Sequence, residues 1–337
     1  MKKYNVAICG ATGVVGETML KVLQERNFPV EKLKLLASYR SVGRKYKFFN
    51  QDVLVEELTK DSFKDTEIAL FSIGAGLSKE FVPIAVENGA VVIDNSSAFR
   101  MDKDVPLVIP EVNPEDVSWH NGIIANPNCS TIVMVVAISP IHKISKIKRI
   151  VTSTYQAVSG TGREAVEELK KQSRAVLNDE EVISKVYPVQ IAFNVLPHIE
   201  DFLKDGYTKE EMKMVHETHK IIGDDSIKIT AITVRVPVFT SHSLSVNLEL
   251  GSKLTRDDVR EILSKAPGVK VMDDPENLIY PTVLNSSGND LVYVGRIRED
   301  NSIENGINLW VVSDQLRKGA ATNAIQIAEI LIEKNLV

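Results

Sequence analysis

The sequence predicts an α/β chain. A Rossmann-type nucleotide-binding domain comes first, followed by a second α+β domain built on a largely antiparallel sheet, with the C-terminal helix returning to the first domain. Three observations predict it. Over roughly the first 130 residues, short apolar runs alternate with helical periodicity, the pattern of βαβ units and a parallel sheet. A glycine loop, Gly10-Ala11-Thr12-Gly13-Val14-Val15-Gly16, joins the first such run to the first such helix. From Lys146 onward the runs lengthen and alternate in polarity, as antiparallel strands with one solvated face do.

The elements follow in order. Residues 5–9 are apolar and end at Gly10, which suits a strand buried on both faces. Residues 14–27 carry Val15, Met19, Val22 and Leu23 at helical spacing with a polar face between them. Residues 33–37, 67–73 and 90–93 read as further buried strands, with a helix over 81–87 between the last two. The turn Pro127-Asn128 leads into an apolar helix over 132–138. Beyond it, 149–158, 227–238, 244–250, 291–298 and 306–312 read as the alternating strands. Two charged helices, 162–177 and 209–222, interrupt them, and a helix over 316–334 with one apolar side closes the chain. The domain reading is 1–128 plus 316–337 for the nucleotide domain and 129–315 for the second.

Composition narrows the function. A length of 337 residues suggests about two domains. Hydrophobic residues at 44% and charged residues at 25% exclude a disordered or fibrous chain. Lys+Arg is 40 against 45 for Asp+Glu, net −5, with no basic stripe, which argues against a nucleic-acid partner. The apolar run 132–138 is far shorter than the ~20 residues that span a bilayer, so no membrane segment is expected. Lys2 and Lys3 precede an apolar stretch, but Gly10, Gly13 and Gly16 break it and no cleavage site follows, so no signal peptide is read. Cys9 and Cys129 form neither a disulfide framework nor a metal-ligand spacing. The expectation is a reducing, cytoplasmic setting and no metal.

The glycine loop follows a strand and opens a helix, the context in which backbone N–H groups approach a dinucleotide pyrophosphate. The second strand ends in Ala37-Ser38-Tyr39-Arg40-Ser41, without the carboxylate that would take the 2′-hydroxyl of NAD. A guanidinium and hydroxyls are phosphate donors, so NADP is the expected cofactor.

Cys129 falls in the first turn of a helix, where the dipole stabilises a thiolate and backbone N–H groups can hold an oxyanion. Cys9 lies inside the first strand, where a thiol packs as a small hydrophobe. A nucleophilic cysteine with a nicotinamide cofactor implies aldehyde oxidation or acyl reduction through a thiohemiacetal and a thioester, and this needs a base. Of six histidines, His216 and His219 lie on a charged helix, and His120 and His142 in loops. His242, in the loop Thr240-Ser241-His242-Ser243, and His198, after Pro197, both stay open as the base.

The motifs Ala37-Ser38-x-Arg40-Ser41, Asp94-Asn95-Ser96-Ser97-Ala98-Phe99-Arg100, Pro127-Asn128-Cys129-Ser130-Thr131 and Gln156-Ala157-Val158-Ser159-Gly160, with Arg235 and His242 seven apart, resemble aspartate-semialdehyde dehydrogenase of the shorter bacterial type. The resemblance runs from the glycine loop to Leu316-Arg317-Lys318-Gly319-Ala320-Ala321. It implies NADPH-dependent reduction of L-aspartyl-4-phosphate to L-aspartate-4-semialdehyde and phosphate, on the route to lysine, methionine and threonine. It further implies that Cys129 carries the acyl group and that His242 is the acid/base, titrating near neutrality. Gln156 would orient the substrate, Arg235 hold its α-carboxylate and Glu210 meet its amino group. Arg100, Lys213 and Asn128 would hold the phosphate. Gly10, Thr12, Gly13, Val14, Val15, Arg40, Ser41, Ser159, Gly160, Gln315 and Asn323 would line the cofactor. The second domain would be catalytic and would join the chain into a homodimer or a dimer of dimers, with Arg235 and His242 on one antiparallel hairpin. Two positions depart from the pattern: His198 stands where related chains usually carry glutamine, and Gln315 where many have asparagine. Alternative readings are N-acetyl-γ-glutamyl-phosphate reductase, which favours a glycine before its cysteine where this chain has Asn128, and a non-catalytic NADP-binding sensor, which would be expected to lose Cys129 or His242.

Overall fold

The computed structural model describes residues 2–337. They form two compact units. The first runs to Asn128 and resumes at Ala320, and the second is Cys129–Gly319. The chain therefore returns four residues later than the sequence reading of 316, because 316–319 belongs with the second unit.

In the first unit, β1 (Tyr4–Cys9), α1 (Val14–Glu25) and β2 (Val30–Ala37) form the opening βαβ unit. β3 (Lys45–Phe48), β4 (Gln51–Glu57), β5 (Ile68–Phe71), α2 (Ala75–Glu87), β6 (Val91–Asp94) and β7 (Ile123–Ala125) complete it, in the sheet order β3-β4-β2-β1-β5-β6-β7. β1 pairs parallel with β2 on one side and β5 on the other, so the strand order reverses at β1. The crevice beyond that switch point is where doubly wound sheets bind ligands, and the glycine loop leaves β1 there. Both faces of the sheet are covered. Met19, Val22 and Leu23 of α1 cluster with Ala324, Ile325, Ala328 and Leu331 of the last helix, Thr322–Glu333. Cys9 packs on the other face with Phe63, Phe71 and Val82. A bidentate pair, Arg26 Nε and Nη2 on Glu329 at 2.7 and 2.6 Å, ties the last helix to the end of α1.

Three features of this unit escaped the sequence pattern, the short strand β7 among them. The β3–β4 hairpin is antiparallel, and it alternates solvated lysines with inward Tyr46 and Phe48 in runs too short to read as strands. Helix α2 starts at Ala75 rather than 81, its first turn disguised by Gly74 and Gly76, and it runs through Pro83.

The second unit opens with α3 (Cys129–Ile144) and β8 (Ile147–Gln156), then α4 (Arg163–Leu177), α5 (Lys209–Ile222), β9 (Lys228–Arg235) and β10 (His242–Leu250). α6 (Arg256–Ser264), β11 (Val269–Val271), α7 (Val283–Ser286), β12 (Val292–Asp300) and β13 (Gly306–Ser313) follow, leaving Thr322–Glu333 as α8. The sheet order is β11-β12-β13-β10-β8-β9. Its centre is antiparallel, but both outer pairs, β8 with β9 and β11 with β12, are parallel. β9 and β10 are thus no hairpin, because β8 lies between them. α3 is buried on all sides from Ser130 to Ile138, which explains its unbroken apolar run, and it packs beneath the sheet against α5 and α6. His142 lies in the last turn of α3 rather than in a loop.

Candidate active site

The centre of the site is the backbone of Ala157, the residue that follows β8. The N–H of Ala157 donates to His242 Nδ1 at 3.0 Å, and its carbonyl accepts from Arg235 Nη1 at 2.7 Å. The backbone of one residue, through the peptide units on either side of its Cα, therefore aims both the ring and the guanidinium. Gly160 closes the turn: a Cβ built there would lie 3.0 Å from Arg235 Nη1 and 3.4 Å from His242 Cε1, so a side chain would displace both. Arg235 and His242 meet here although their strands are not neighbours, because Gln156 at the end of β8 is in register with Arg235 and Ser243 of β10 with Tyr155.

His242 is the first residue of β10, not a loop residue, and it is fully buried. Burial, then the charge of Arg235, holds the ring at a pKa of about 3, so it is neutral near pH 7. Since Nδ1 accepts from Ala157, the ring proton sits on Nε2, which has no hydrogen-bond partner among the described residues. Titration near neutrality is therefore not a property of His242 in this structure. His198 is the weaker candidate for the base, because its ring stacks on Phe202 with centroids 4.4 Å apart.

The residues on either side of His242 and Gly160 are fixed by Gln315. Its Nε2 donates to Ser159 Oγ at 2.6 Å and its Oε1 accepts from the Ser241 N–H at 2.7 Å. Ser241 adopts φ 70°, a left-handed conformation rare for serine, immediately before His242. The longer reach of glutamine at 315 is what lets one amide span both loops.

Around this backbone lie the polar groups singled out by sequence. Gln156 and Glu210 are buried, joined by Gln156 Nε2 donating to Glu210 Oε1 at 3.2 Å. Lys213 Nζ reaches Glu210 Oε2 at 3.3 Å and also bonds Glu200. Glu210 is therefore no solvated helix charge, and Thr208, which caps α5 in a reciprocal box with Glu211, fixes where that helix begins. Arg235 Nε is buried with no hydrogen-bond partner among the described residues, an unsatisfied donor of the kind that a substrate carboxylate satisfies. Cys129 is the first residue of α3 and half-buried, and Gly319 packs against it: a Cβ at Gly319 would lie 3.1 Å from Cys129 Cβ. Cys9 is fully buried, and burial pushes its thiol well above the usual range. It is the inert one.

The first unit holds the remaining residues. Gly10 at φ 82° could carry no side chain, since its Cβ would be 2.2 Å from the Ser72 carbonyl, and a Cβ at Gly16 would be equally close to Gly10 O. These glycines press α1 onto β1, with Gly13 as N-cap and Val14 and Val15 opening the helix. Thr12 Oγ1 lies 3.3 Å from Ser41 Oγ, which brings the glycine loop to the segment Tyr39–Ser41, where Arg40 is exposed beside the Tyr39 ring. This donor set, without a carboxylate at the end of β2, fits NADP. Arg100 is buried, with Nε on the Asn126 carbonyl at 2.9 Å and Nη2 on that of Asn95 at 2.7 Å. Asn323 donates to Val108 O and Asn126 Oδ1, so its amide ties α8 to the β7 end of the sheet. Asn128 is the buried last residue of this unit's first segment. Among the described residues no His/Cys/Asp/Glu group could hold a metal ion, and no helix is long and apolar enough to cross a membrane.

The groups that sequence reasoning missed are the Ala157 backbone, Ser241, Gly319 and Glu200. The first acts through backbone atoms and gives no residue-type signal. Gly319 was visible only as part of a motif.

Comparison with known proteins agrees over the whole chain. Residues 5–120 match the family described as "Semialdehyde dehydrogenase, NAD binding domain", and residues 138–318 match "Semialdehyde dehydrogenase, dimerisation domain". The chain is 55% identical to aspartate-semialdehyde dehydrogenase of Aquifex aeolicus over 338 residues, 99% of each chain. It is 50% identical to that of Bacillus subtilis, again over 99% of each. Among solved structures, aspartate semialdehyde dehydrogenase II of Vibrio cholerae complexed with ASA is similar at TM-score 0.97 and 49% identity, covering 99% of both chains. The Candida albicans enzyme with NADP is similar at TM-score 0.78 and 27% identity, covering 100% of both.

Proposed function

The chain belongs to the aspartate-semialdehyde dehydrogenase family, and from that premise we propose that it reduces L-aspartyl-4-phosphate to L-aspartate-4-semialdehyde and phosphate, reversibly, in the synthesis of lysine, methionine and threonine. The observation that carries the reading of the site is the Ala157 backbone, which holds His242 and Arg235 together beside Gln156 and Glu210.

The Cys129 sulfur attacks the acyl carbon, phosphate leaves, and a thioester remains. NADPH, when bound, supplies the hydride that turns the thioester into a thiohemiacetal. We assign His242 Nε2–H to the oxygen of these adducts, where it shares its proton in a hydrogen bond as negative charge builds and takes it back when the thiohemiacetal oxyanion collapses. Burial and the charge of Arg235 keep the ring neutral, so Nε2 keeps a proton to offer that oxygen. Collapse releases the aldehyde and the Cys129 thiolate. Arg235 binds the α-carboxylate, Glu210 the α-ammonium, and Gln156 orients the acyl group. Lys213, Arg100 and Asn128 are assigned to the phosphate. In the first unit, Gly10, Thr12, Gly13, Val14, Val15, Arg40 and Ser41 bind the cofactor. In the second, Gln315 serves it through Ser159 and Gly160, whose turn it fixes. Asn323 is assigned to the cofactor as well, its amide nitrogen oriented by the Val108 carbonyl and Asn126 Oδ1. We assign the second unit to a homodimer interface, on the strength of the matching dimerisation-domain description, and the protein to the cytoplasm, where a catalytic thiol stays reduced.

The test is phosphate-dependent reduction of NADP with L-aspartate-4-semialdehyde, with the N-acetylated glutamate analogue, and with neither. Activity on the first alone supports the reading. Preference for the analogue overturns the substrate, and inactivity on both overturns the chemistry. In the same assay Arg40→Ala should raise KM for NADP by roughly tenfold or more with far less effect on NAD, since only NADP carries the 2′-phosphate that a guanidinium holds by charge-assisted bonds. Arg235→Lys keeps the charge but loses the planar fork, so it should raise KM for the semialdehyde much more than it lowers kcat. Steady-state profiles of each variant check both.

A further inference from the structure

We propose that Glu200 competes with phosphate for Lys213 and so sets how readily phosphate is bound and released. The proposal rests on the reading of Lys213 as a phosphate-holding residue. Lys213 Nζ lies between two carboxylates, Glu200 Oε1 at 2.5 Å and Glu210 Oε2 at 3.3 Å. The two differ in kind. Glu210 is 4% exposed, and its other oxygen accepts from Gln156, so it is fixed in the substrate pocket. The Glu200 side chain is 39% exposed and returns to water at little cost. Of the two, Glu200 is the one an incoming anion displaces.

The backbone puts it there under constraint. Glu200 adopts φ 64°, a left-handed conformation that glutamate seldom takes. The chain on either side is anchored to the site itself. Leu196 exchanges both backbone hydrogen bonds with Arg235, at 2.8 and 2.9 Å. Beyond Glu200, Asp201 holds Lys209 of α5 through its side chain at 2.7 Å and through its carbonyl at 2.9 Å. His198 stacks on Phe202 across the bend. A segment pinned at Arg235 and again at the start of α5 lets the Glu200 side chain swing without moving either.

Charge gives the consequence. One ammonium between two carboxylates carries a local net charge of −1, which opposes a phosphate anion until Glu200 withdraws. Once phosphate leaves, Glu200 takes the ammonium back and blocks rebinding. Glu200 therefore weakens phosphate binding while leaving the acyl chemistry alone.

The experiment measures KM for inorganic phosphate in the oxidative direction, together with inhibition of the reductive direction by phosphate. Wild type, Glu200→Gln and Lys213→Ala are compared. Glu200→Gln should lower KM for phosphate roughly two- to fivefold, the scale of a partly exposed charge pair, with KM for the semialdehyde and for NADP unchanged. Phosphate should inhibit the reductive reaction more strongly by the same factor. Lys213→Ala should raise KM for phosphate steeply. If Lys213→Ala raises it but Glu200→Gln leaves it unchanged or raises it, the competition is refuted and Glu200 only props Lys213. If Lys213→Ala leaves KM for phosphate unchanged, the reading of Lys213 falls, and this proposal with it.

Discussion

Cys129→Ala is expected to abolish turnover in both directions while leaving NADP affinity nearly unchanged. The sulfur is the atom that carries the acyl group, and alanine offers no nucleophile in its place, so activity should fall to the background of the uncatalysed reaction. NADP binding should survive because Gly10, Thr12, Gly13, Arg40 and Ser41 belong to the first unit, whereas Cys129 opens α3 in the second. Helix α3 should survive too, since Ser130 to Ile138 are buried whether or not residue 129 carries a sulfur. The internal control is Cys9→Ala. Cys9 is fully buried among Phe63, Phe71 and Val82 and its thiol is held well above the usual range, so it is not a thiolate near pH 7. That variant should keep its activity and lose about 1 kcal/mol of stability from the small cavity left behind. Titration with NADP, steady-state assays and urea unfolding of both variants check this. An active Cys129→Ala enzyme, or an inactive Cys9→Ala enzyme that is still folded, would reverse the assignment.

His242→Ala should lower kcat by roughly 10²–10⁴-fold with little change in KM, because the hydrogen bond it offers the adduct oxygen is made chiefly in the transition state. The pH dependence has a distinctive form. With the ring held at about 3 in the free protein, His242 puts no inflection near neutrality into kcat/KM, which reports the free enzyme. Removing it should therefore lower the whole profile without erasing a neutral-pH break. The same shift makes a stability prediction. The folded pKa is below that of an unfolded histidine, about 6.5, so the unfolded chain binds the extra proton between those values. The contribution of a neutral buried ring is thus fully present above pH 6.5 and is lost progressively as pH falls towards 3. His242→Ala lacks this particular acid sensitivity, so the stability gap between variant and wild type should shrink from pH 7.5 to pH 5. Urea unfolding at the two values measures it, and a gap that widens on acidification would mean that the ring is protonated in the native state.

The sequence made some of this legible and concealed the rest for physical reasons. Gly10 to Gly16 was readable because tight turns and close packing admit so few residues, and the structure shows a Cβ at Gly10 or Gly16 colliding with backbone. The absence of an acidic residue after Ala37 was a residue-type signal of the same clarity. Cys129 stood out from Cys9 because a helix start and a strand interior differ in their patterning. His242 was harder. Thr240-Ser241-His242-Ser243 has the composition of a loop, yet β10 begins at His242, held there by pairing with Ser313 and by Ser241 in a left-handed turn. The neighbourhood of Arg235 and His242 could not be read from their spacing of seven, because what brings them together is β8 inserted between their strands. Glu210 and Lys213 looked like a solvated helix pair, since burial against Gln156 depends on a segment 54 residues away. The Ala157 backbone and Glu200 gave no residue-type signal at all.

The most direct test of the account is chemical. The protein is mixed with NADP and L-aspartate-4-semialdehyde in the absence of phosphate, quenched in acid, digested and read by mass spectrometry. An aspartyl group should be found on the peptide that begins α3, on Cys129, together with an equivalent of NADPH, and it should be discharged when phosphate is added before the quench. An acyl group on Cys9, or full phosphate-dependent turnover in a protein whose Cys129 never carries one, would contradict it.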